Sequence, residues 1–280
     1  MLEELYCFTR ERLTTWRQPR VPRRVSWISD EVFCEQYVSA CRDSDFRVIQ
    51  AFVLERVLAG LPQHGEALDV CCGPGLLLGE FARRRPNVAF TGLDVSPAIL
   101  ALAQQHLEQE KITNVRLLEG NMARLPEIFG DRRFDSITWT FGISYCPTSE
   151  QALATINAMA DLLKPGGFFF LVDLARFKRE ATRRWFSEKH DRDHGQHFLE
   201  ETTATYLAAF APEELTQLLR ASRFSGLTQE WSKLCPILLL ADNRGSGQTS
   251  PVQIDLPWRE RLKYAMLRRI LNGAGVRSSL

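Results

Sequence analysis

Residues 64–174 show two hydrophobic periods in turn. Short apolar runs of strand length fall at 66–71, 88–93, 114–118, 134–140 and 167–173. Between them, residues 76–85, 97–110 and 150–163 carry apolar positions at helical spacing. This alternation predicts a parallel sheet with helices on both faces. Residues 1–60 read as helices that precede the sheet. Leu2, Leu5, Tyr6, Leu13 and Trp16 line one short helix, Pro19 and Pro22 interrupt it, and Ser29-Asp30 caps a second. A third helix runs from Asp43 to Leu61, with Phe46, Ile49, Phe52, Val53 and Val57 on its apolar face and Gly60 with Pro62 at its end.

Beyond the fifth strand, residues 175–210 are polar and helical. Pro212 opens a helix that ends near Ala221. Two last strands are expected from Ser225 to Ser232 and from Cys235 to Leu240. Residues 242–251 have the glycine, serine, threonine and proline content of a linker. A basic amphipathic helix follows from Trp258 to Leu271, with Leu262, Met266 and Ile270 at helical spacing. The chain thus divides into an N-terminal helical cap (1–62), a ligand-binding domain (63–241) with an inserted lid (175–210), and a linker with a C-terminal basic helix (242–280).

The chemistry concentrates at the end of the first strand, in Leu68-Asp69-Val70-Cys71-Cys72-Gly73-Pro74-Gly75. Gly73 and Gly75 let the backbone turn tightly and come close to a ligand. The second strand ends in Asp94, placed beside that turn in a βαβ unit, where a carboxylate accepts both hydroxyls of a ribose. A dinucleotide fingerprint needs a third glycine at position 78, which is Leu78; a phosphate-binding P-loop fails as well, since no Gly-Lys-Ser/Thr follows.

The segment resembles motif I of the class I S-adenosylmethionine (SAM) dependent methyltransferases, with Cys71 where the family has its first glycine. The resemblance extends from Glu66 to about Leu174. Gly92-Leu93-Asp94-Val95-Ser96-Pro97 resembles the family's ribose-binding strand end, and Glu119-Gly120-Asn121-Met122 its adenine-contacting loop. Phe134-Asp135-Ser136-Ile137 resembles its fourth strand, and Leu163-Lys164-Pro165-Gly166-Gly167 the turn before its fifth. The group within the superfamily that it resembles includes the ubiquinone and menaquinone biosynthesis methyltransferases. The resemblance implies a Rossmann-like fold with a seven-stranded, mostly parallel sheet. It also implies SAM as cofactor, held by Asp69, Cys71, Gly73, Gly75, Asp94, Val95, Asn121, Met122 and Thr140. Asp69 is expected either to reach the methionine ammonium or to brace the glycine loop. Asn121 and the Met122 amide would meet the adenine, and Thr140 with Phe141 and Gly142 would lie under the sulfonium.

Composition excludes little else. Hydrophobic residues make 45% and charged residues 25% of the 280, as in ordinary globular proteins. A net charge of +1 argues against a generally basic nucleic-acid binder. Seven cysteines without a C-x-x-C pair suggest a reduced, cytoplasmic chain and no zinc site. No signal peptide and no membrane span are expected. Catalytic candidates are Tyr145, in the loop after the fourth strand, and His190 and His194, which share one face if a helix continues through them. The histidines serve as a base or, with Asp191 or Asp193, as metal ligands; a solvated loop is the preferred reading, and no metal is expected. Trp139 and Phe141 lie two apart at a strand end, so at least one belongs to the core. The leading expectation is methyl transfer to an O, N or C atom of a small molecule, a secondary metabolite. The alternatives are an RNA methyltransferase, supported by Arg17, Arg20, Arg23, Arg24, Arg259, Arg261, Lys263, Arg268 and Arg269, and a SAM-binding interaction protein or cyclase that transfers no methyl.

Overall fold

A computed structural model describes residues 2–23, 31–42, 44–190, 194–232, 237–244, 257, 260–265 and 275–280. The N-terminal helices are α1 (Leu2–Leu13), α2 (Glu31–Cys41) and α3 (Ser44–Gly60). The central region then alternates: β1 (Gly65–Val70), α4 (Leu76–Arg84), β2 (Val88–Asp94), α5 (Pro97–Gln109), β3 (Val115–Glu119), the short α6 (Leu125–Phe129), β4 (Phe134–Thr140), α7 (Ser149–Leu162) and β5 (Leu163–Leu174). It is followed by α8 (Glu180–His190), α9 (Gln196–Ala208), α10 (Pro212–Ala221), β6 (Thr228–Ser232), β7 (Leu238–Asp242) and β8 (Gly275–Ser279).

The sheet order is β3-β2-β1-β4-β5-β7-β6-β8. Neighbours among β1 to β5 pair parallel, while β7 lies antiparallel between β5 and β6. The seven expected strands and their arrangement are present. An eighth, which sequence reading did not foresee, extends the edge by pairing antiparallel with β6. Strand order reverses between β1 and β4, and the crevice outside the strand ends at such a switch point is where ligands bind in this fold class.

Each face of the sheet has its own core. Phe52, Val57, Leu78, Phe81 and Phe90 pack with Phe168 and Phe170 on one side; Trp139, Ile156, Met159, Phe169, Phe210 and Leu219 pack on the other. The run Phe168-Phe169-Phe170 is therefore buried throughout, because a central strand covered on both faces has no polar side to alternate to. Full burial of each such side chain contributes about 1.5–3 kcal/mol. A Cβ on Gly60 would run into the Phe168 ring, so this glycine permits close packing of α3 on β5 as well as ending the helix.

Some expectations are corrected. His190 lies in α8 and His194 precedes α9, separated from it by Gly195 at φ 100°, while residues 191–193 between the two histidines lie outside the described residues. In the C-terminal helical turn at 260–265, Glu260 is buried and Leu262 is exposed, so the inward face is not the one expected from Leu262. Tyr264 donates its hydroxyl to Glu55, and Arg47 pairs with Glu260 at 3.6 Å. Arg17, Arg20 and Arg23 make internal hydrogen bonds: Arg17 donates to the Arg176 carbonyl, Arg20 to those of Ala208, Pro147 and Cys146, and Arg23 to Glu201 and Thr205. Ser29, Asp30, Arg24, Asp191, Asp193, Cys235, Trp258, Arg259, Met266, Arg268, Arg269, Ile270 and most of the expected linker lie outside the described residues.

Candidate functional site

A cavity of about 330 Å³ opens beyond the carboxyl ends of β1, β2 and β4. Four segments meet there: the turn after β1, the end of β2, the loop after β3 and the loop after β4. Cys71, Gly73, Asp94, Val95, Asn121, Met122, Thr140 and Tyr145 all line it. Asp69 and Gly75, also expected at the ligand, do not line it.

Backbone conformation explains the first wall. Cys71, Gly73 and Gly75 have φ of 60°, 54° and 72°. Only glycine takes this region without strain, so Cys71 holds a left-handed conformation at a cost of about 1–3 kcal/mol. Its Sγ lies 3.5 Å from Met122 Sδ, across the cavity floor. Burial pushes the Cys71 thiol well above its usual range. A Cβ on Gly73 would meet nothing within 4 Å, while one on Gly75 would come to 3.1 Å from Ala103 Cβ. Gly73 thus faces open space and Gly75 lets α4 and α5 approach.

Asp94 ties the turn to the second strand. Its Oδ2 accepts the Gly73 N–H at 3.0 Å and its Oδ1 the Ser96 N–H at 3.1 Å. Ser96 in turn caps α5 through the Ile99 N–H, with Pro97 as first helical residue. Burial raises the Asp94 carboxyl pKa, opposed by these backbone donors. A carboxylate has about four acceptor positions, so Asp94 retains capacity for donors from the cavity.

Asp69 instead turns into the sheet. It is 1% exposed and accepts the Thr138 hydroxyl at 2.6 Å, linking β1 to β4. Its other oxygen has no partner among the described residues. Burial lifts its pKa to about 7. Asn121 accepts the Ala123 N–H at 2.9 Å and so opens the 3-10 turn at Met122–Arg124.

The wall after β4 is also strained, with Phe141 at φ 57°. Trp139 is fully buried and belongs to the core, whereas Phe141 lines the cavity. Asp173 at the end of β5 receives the Ser144 N–H at 3.1 Å and fixes the turn that carries Tyr145. Burial raises Asp173 to about 6 and pushes the Tyr145 hydroxyl well above its usual range. The Arg23 guanidinium lies 4.4 Å from the Tyr145 ring centroid.

Sequence reading missed Tyr37, Ile99, Ala123, Cys146, Pro147, Gln151 and Thr155, which also line the cavity. Tyr37 arrives on α2, and no local motif marks it. Gln151 follows Thr148, which caps α7; that pattern signals a helix start but not a ligand contact. His194 does not line the cavity; it meets Phe198 edge-on at 5.2 Å, and Phe198 packs in the cluster that includes Tyr145. The side chain of His190 is outside the described residues. Among the described residues, no group of three His, Cys, Asp or Glu side chains could hold a metal ion.

These features fit SAM. Open space above Gly73, an acceptor at Asp94 and an apolar pocket at the loop after β3 match a methionyl chain, a ribose and an adenine in turn. Residues 67–167 match the methyltransferase domain family. The demethylmenaquinone methyltransferase of Bacillus licheniformis is 35% identical over 113 residues, 39% of this chain and 45% of that protein. The same enzyme of Chlorobaculum tepidum is 30% identical over 141 residues, 50% of this chain and 53% of that one. The match therefore spans about half the length of these curated relatives. Among solved structures, the plantazolicin methyltransferase BamL aligns with a TM-score of 0.54 at 17% identity, covering 86% of this chain and 97% of that one. An O-methyltransferase family protein from Burkholderia thailandensis aligns with a TM-score of 0.52 at 17% identity, covering 76% and 63%. Both likenesses concern the fold. Residues 67–167 thus match a methyltransferase domain, and the fold is the Rossmann-like fold of the class I methyltransferases.

Proposed function

We propose that the protein moves a methyl group from SAM to a small planar acceptor whose hydroxyl or ring carbon is already acidic, such as a hydroxyquinone or an activated phenol. The observation that carries this reading is the composition of the cavity wall. Its titratable side chains among the described residues are Asp94, the tyrosines and the cysteines. Asp94 is assigned to the ribose. The neighbouring Cys41 together with burial raises Tyr37, and burial raises Tyr145, Cys71 and Cys146, so none is poised to take a proton near neutral pH. An acceptor that ionises by itself needs no such base.

SAM supplies an activated methyl on a sulfonium. The chain's work is orientation and exclusion of water. In this reading Cys71 and Gly73 hold the methionyl end, Asp94 the ribose, and Asn121 with the Met122 amide the adenine. Thr140 and Phe141 bound the reacting end. Tyr37 and Tyr145 give flat apolar faces with hydroxyls that donate to an acceptor oxygen. The relatives named for demethylmenaquinone support a ring of this kind. A reducing, cytoplasmic setting fits the five described thiols, none of which is in a disulfide.

Turnover of SAM with a panel of hydroxyquinones, phenols, amines and RNA, read by mass spectrometry, tests the proposal. Methylated quinone or phenol is expected, with a pH profile that tracks the acceptor's own pKa. Methylation of RNA or of an unactivated amine alone would overturn it.

A further inference from the structure

We propose that the face formed by α1, the strap at residues 14–21 and the start of α8 docks on an anionic lipid surface. Of the six large apolar residues that stand exposed among the described residues, four lie within this one short stretch: Tyr6 at 62%, Leu13 at 70%, Trp16 at 64% and Val21 at 51%. Clustering of this kind differs from the single exposed apolar residues of any protein surface.

The stretch is built to show them. On α1, Tyr6, Arg10 and Leu13 recur at spacings of four and three, so they form one stripe. Phe8 and Glu11 lie on the other side and are held inward. Phe8 stacks on Phe186 at 6.0 Å, and Glu11 accepts the backbone N–H groups of Lys178 and Arg179. The outward stripe is therefore not a misplaced core face; the core face of α1 is already used. The chain continues from Leu13 into an open groove where Trp16 and Val21 lie beside Lys178, Arg179 and Arg184.

Cations interleave with these apolar residues. Arg10, Arg12, Lys178, Arg179 and Arg184 gather here, against Glu180 and Glu188 on α8 and Glu3 and Glu4 in the first turn of α1. Arg184 also meets Glu188 at 3.3 Å, a solvent-exposed pair that contributes little. Aromatic and branched residues interleaved with cations are the composition of an interfacial segment: apolar groups enter the headgroup boundary and cations attract anionic lipid. No helix among the described residues is long and apolar enough to cross a membrane, so the contact would be peripheral.

The site and the surface are joined. The strap that carries Trp16 and Val21 is fastened by Arg20 to the carbonyls of Pro147 and Cys146, which line the cavity. The inference stands on the surface alone and does not depend on which acceptor is methylated.

Flotation with phosphatidylcholine vesicles, with and without phosphatidylglycerol, tests it in the full chain. Binding is expected with phosphatidylglycerol only, falling as salt rises. The pair Leu13→Ser and Trp16→Ser, and separately Arg10→Glu with Arg179→Glu, should each lower partitioning by about tenfold or more. SAM binding by calorimetry should not change, because none of these residues lines the cavity. Absence of flotation, equal flotation without phosphatidylglycerol, or variants that float as well as the parent would overturn the proposal. So would a concentration-dependent dimer dissolved by Trp16→Ser, which would make a second copy the occupant.

Discussion

Removing the Asp94 carboxylate should weaken SAM binding by about 1.5–3 kcal/mol, or about 10- to 150-fold in Kd. The structure sets this figure. Asp94 already accepts the Gly73 and Ser96 N–H groups, and its remaining acceptor capacity faces the cavity. Charge-assisted bonds to two hydroxyls would fill it. In Asp94→Ala both hydroxyls lose their acceptor, and the Gly73 N–H is left without its partner. That second loss should lower unfolding stability by about 1–3 kcal/mol. Asp94→Asn keeps the volume but presents an amide donor to one of two backbone donors, so it too should lose about tenfold or more in affinity. Calorimetry with SAM and its demethylated product, alongside thermal unfolding of the free proteins, separates the two effects. If both variants fold and bind SAM as tightly as the parent, the ribose role of Asp94 is wrong.

Asp69→Asn should stabilise the protein at pH 8. The folded pKa of about 7 lies above the ordinary 3.8, so the folded state keeps a proton that the unfolded chain releases. Stability therefore falls as pH rises from about 4 to 7; the variant should gain about 2–4 kcal/mol above that window and converge on the parent below it. A constant difference in denaturant midpoint across pH would contradict this. Gly75→Ala should cost about 1–3 kcal/mol of stability, since φ is 72° and the new Cβ presses on Ala103, whereas Gly73→Ala, at φ 54°, should carry the backbone strain without that contact and in addition weaken SAM binding, its Cβ entering open space beside the ligand. Unfolding curves and calorimetry on the pair check the contrast, and equal losses on both measures would refute it. Arg20→Ala should leave the carbonyls of Ala208, Pro147 and Cys146 without their donor and remove the guanidinium from the Phe210 ring 4.1 Å away. Faster hydrogen exchange at residues 144–148 and a destabilisation of about 2–4 kcal/mol are expected; unchanged exchange there would remove its role as a staple.

The sequence by itself determined the sheet, because local signals there agree. Apolar runs of strand length, glycines at a strand end, Ser96-Pro97 as a helix start and an acid after the second strand all act within a few residues of one another. They located Gly73, Asp94 and Asn121 at one end of the sheet without any coordinates. Tertiary structure decided what depends on packing between distant segments. Asp69 looks like a ligand contact in the motif, yet its carboxyl turns to Thr138 because β1 and β4 are neighbours. Arg17, Arg20 and Arg23 are a basic run in sequence, and the fold uses them to fasten the amino-terminal strap to carbonyls and acids more than a hundred residues away. Tyr37 reaches the cavity on a helix outside the resembling region, and β8 joins the edge from the far end of the chain. Hydrogen-bond partners and cavity walls are set by which surfaces meet, and the order of residues along a chain does not encode that locally.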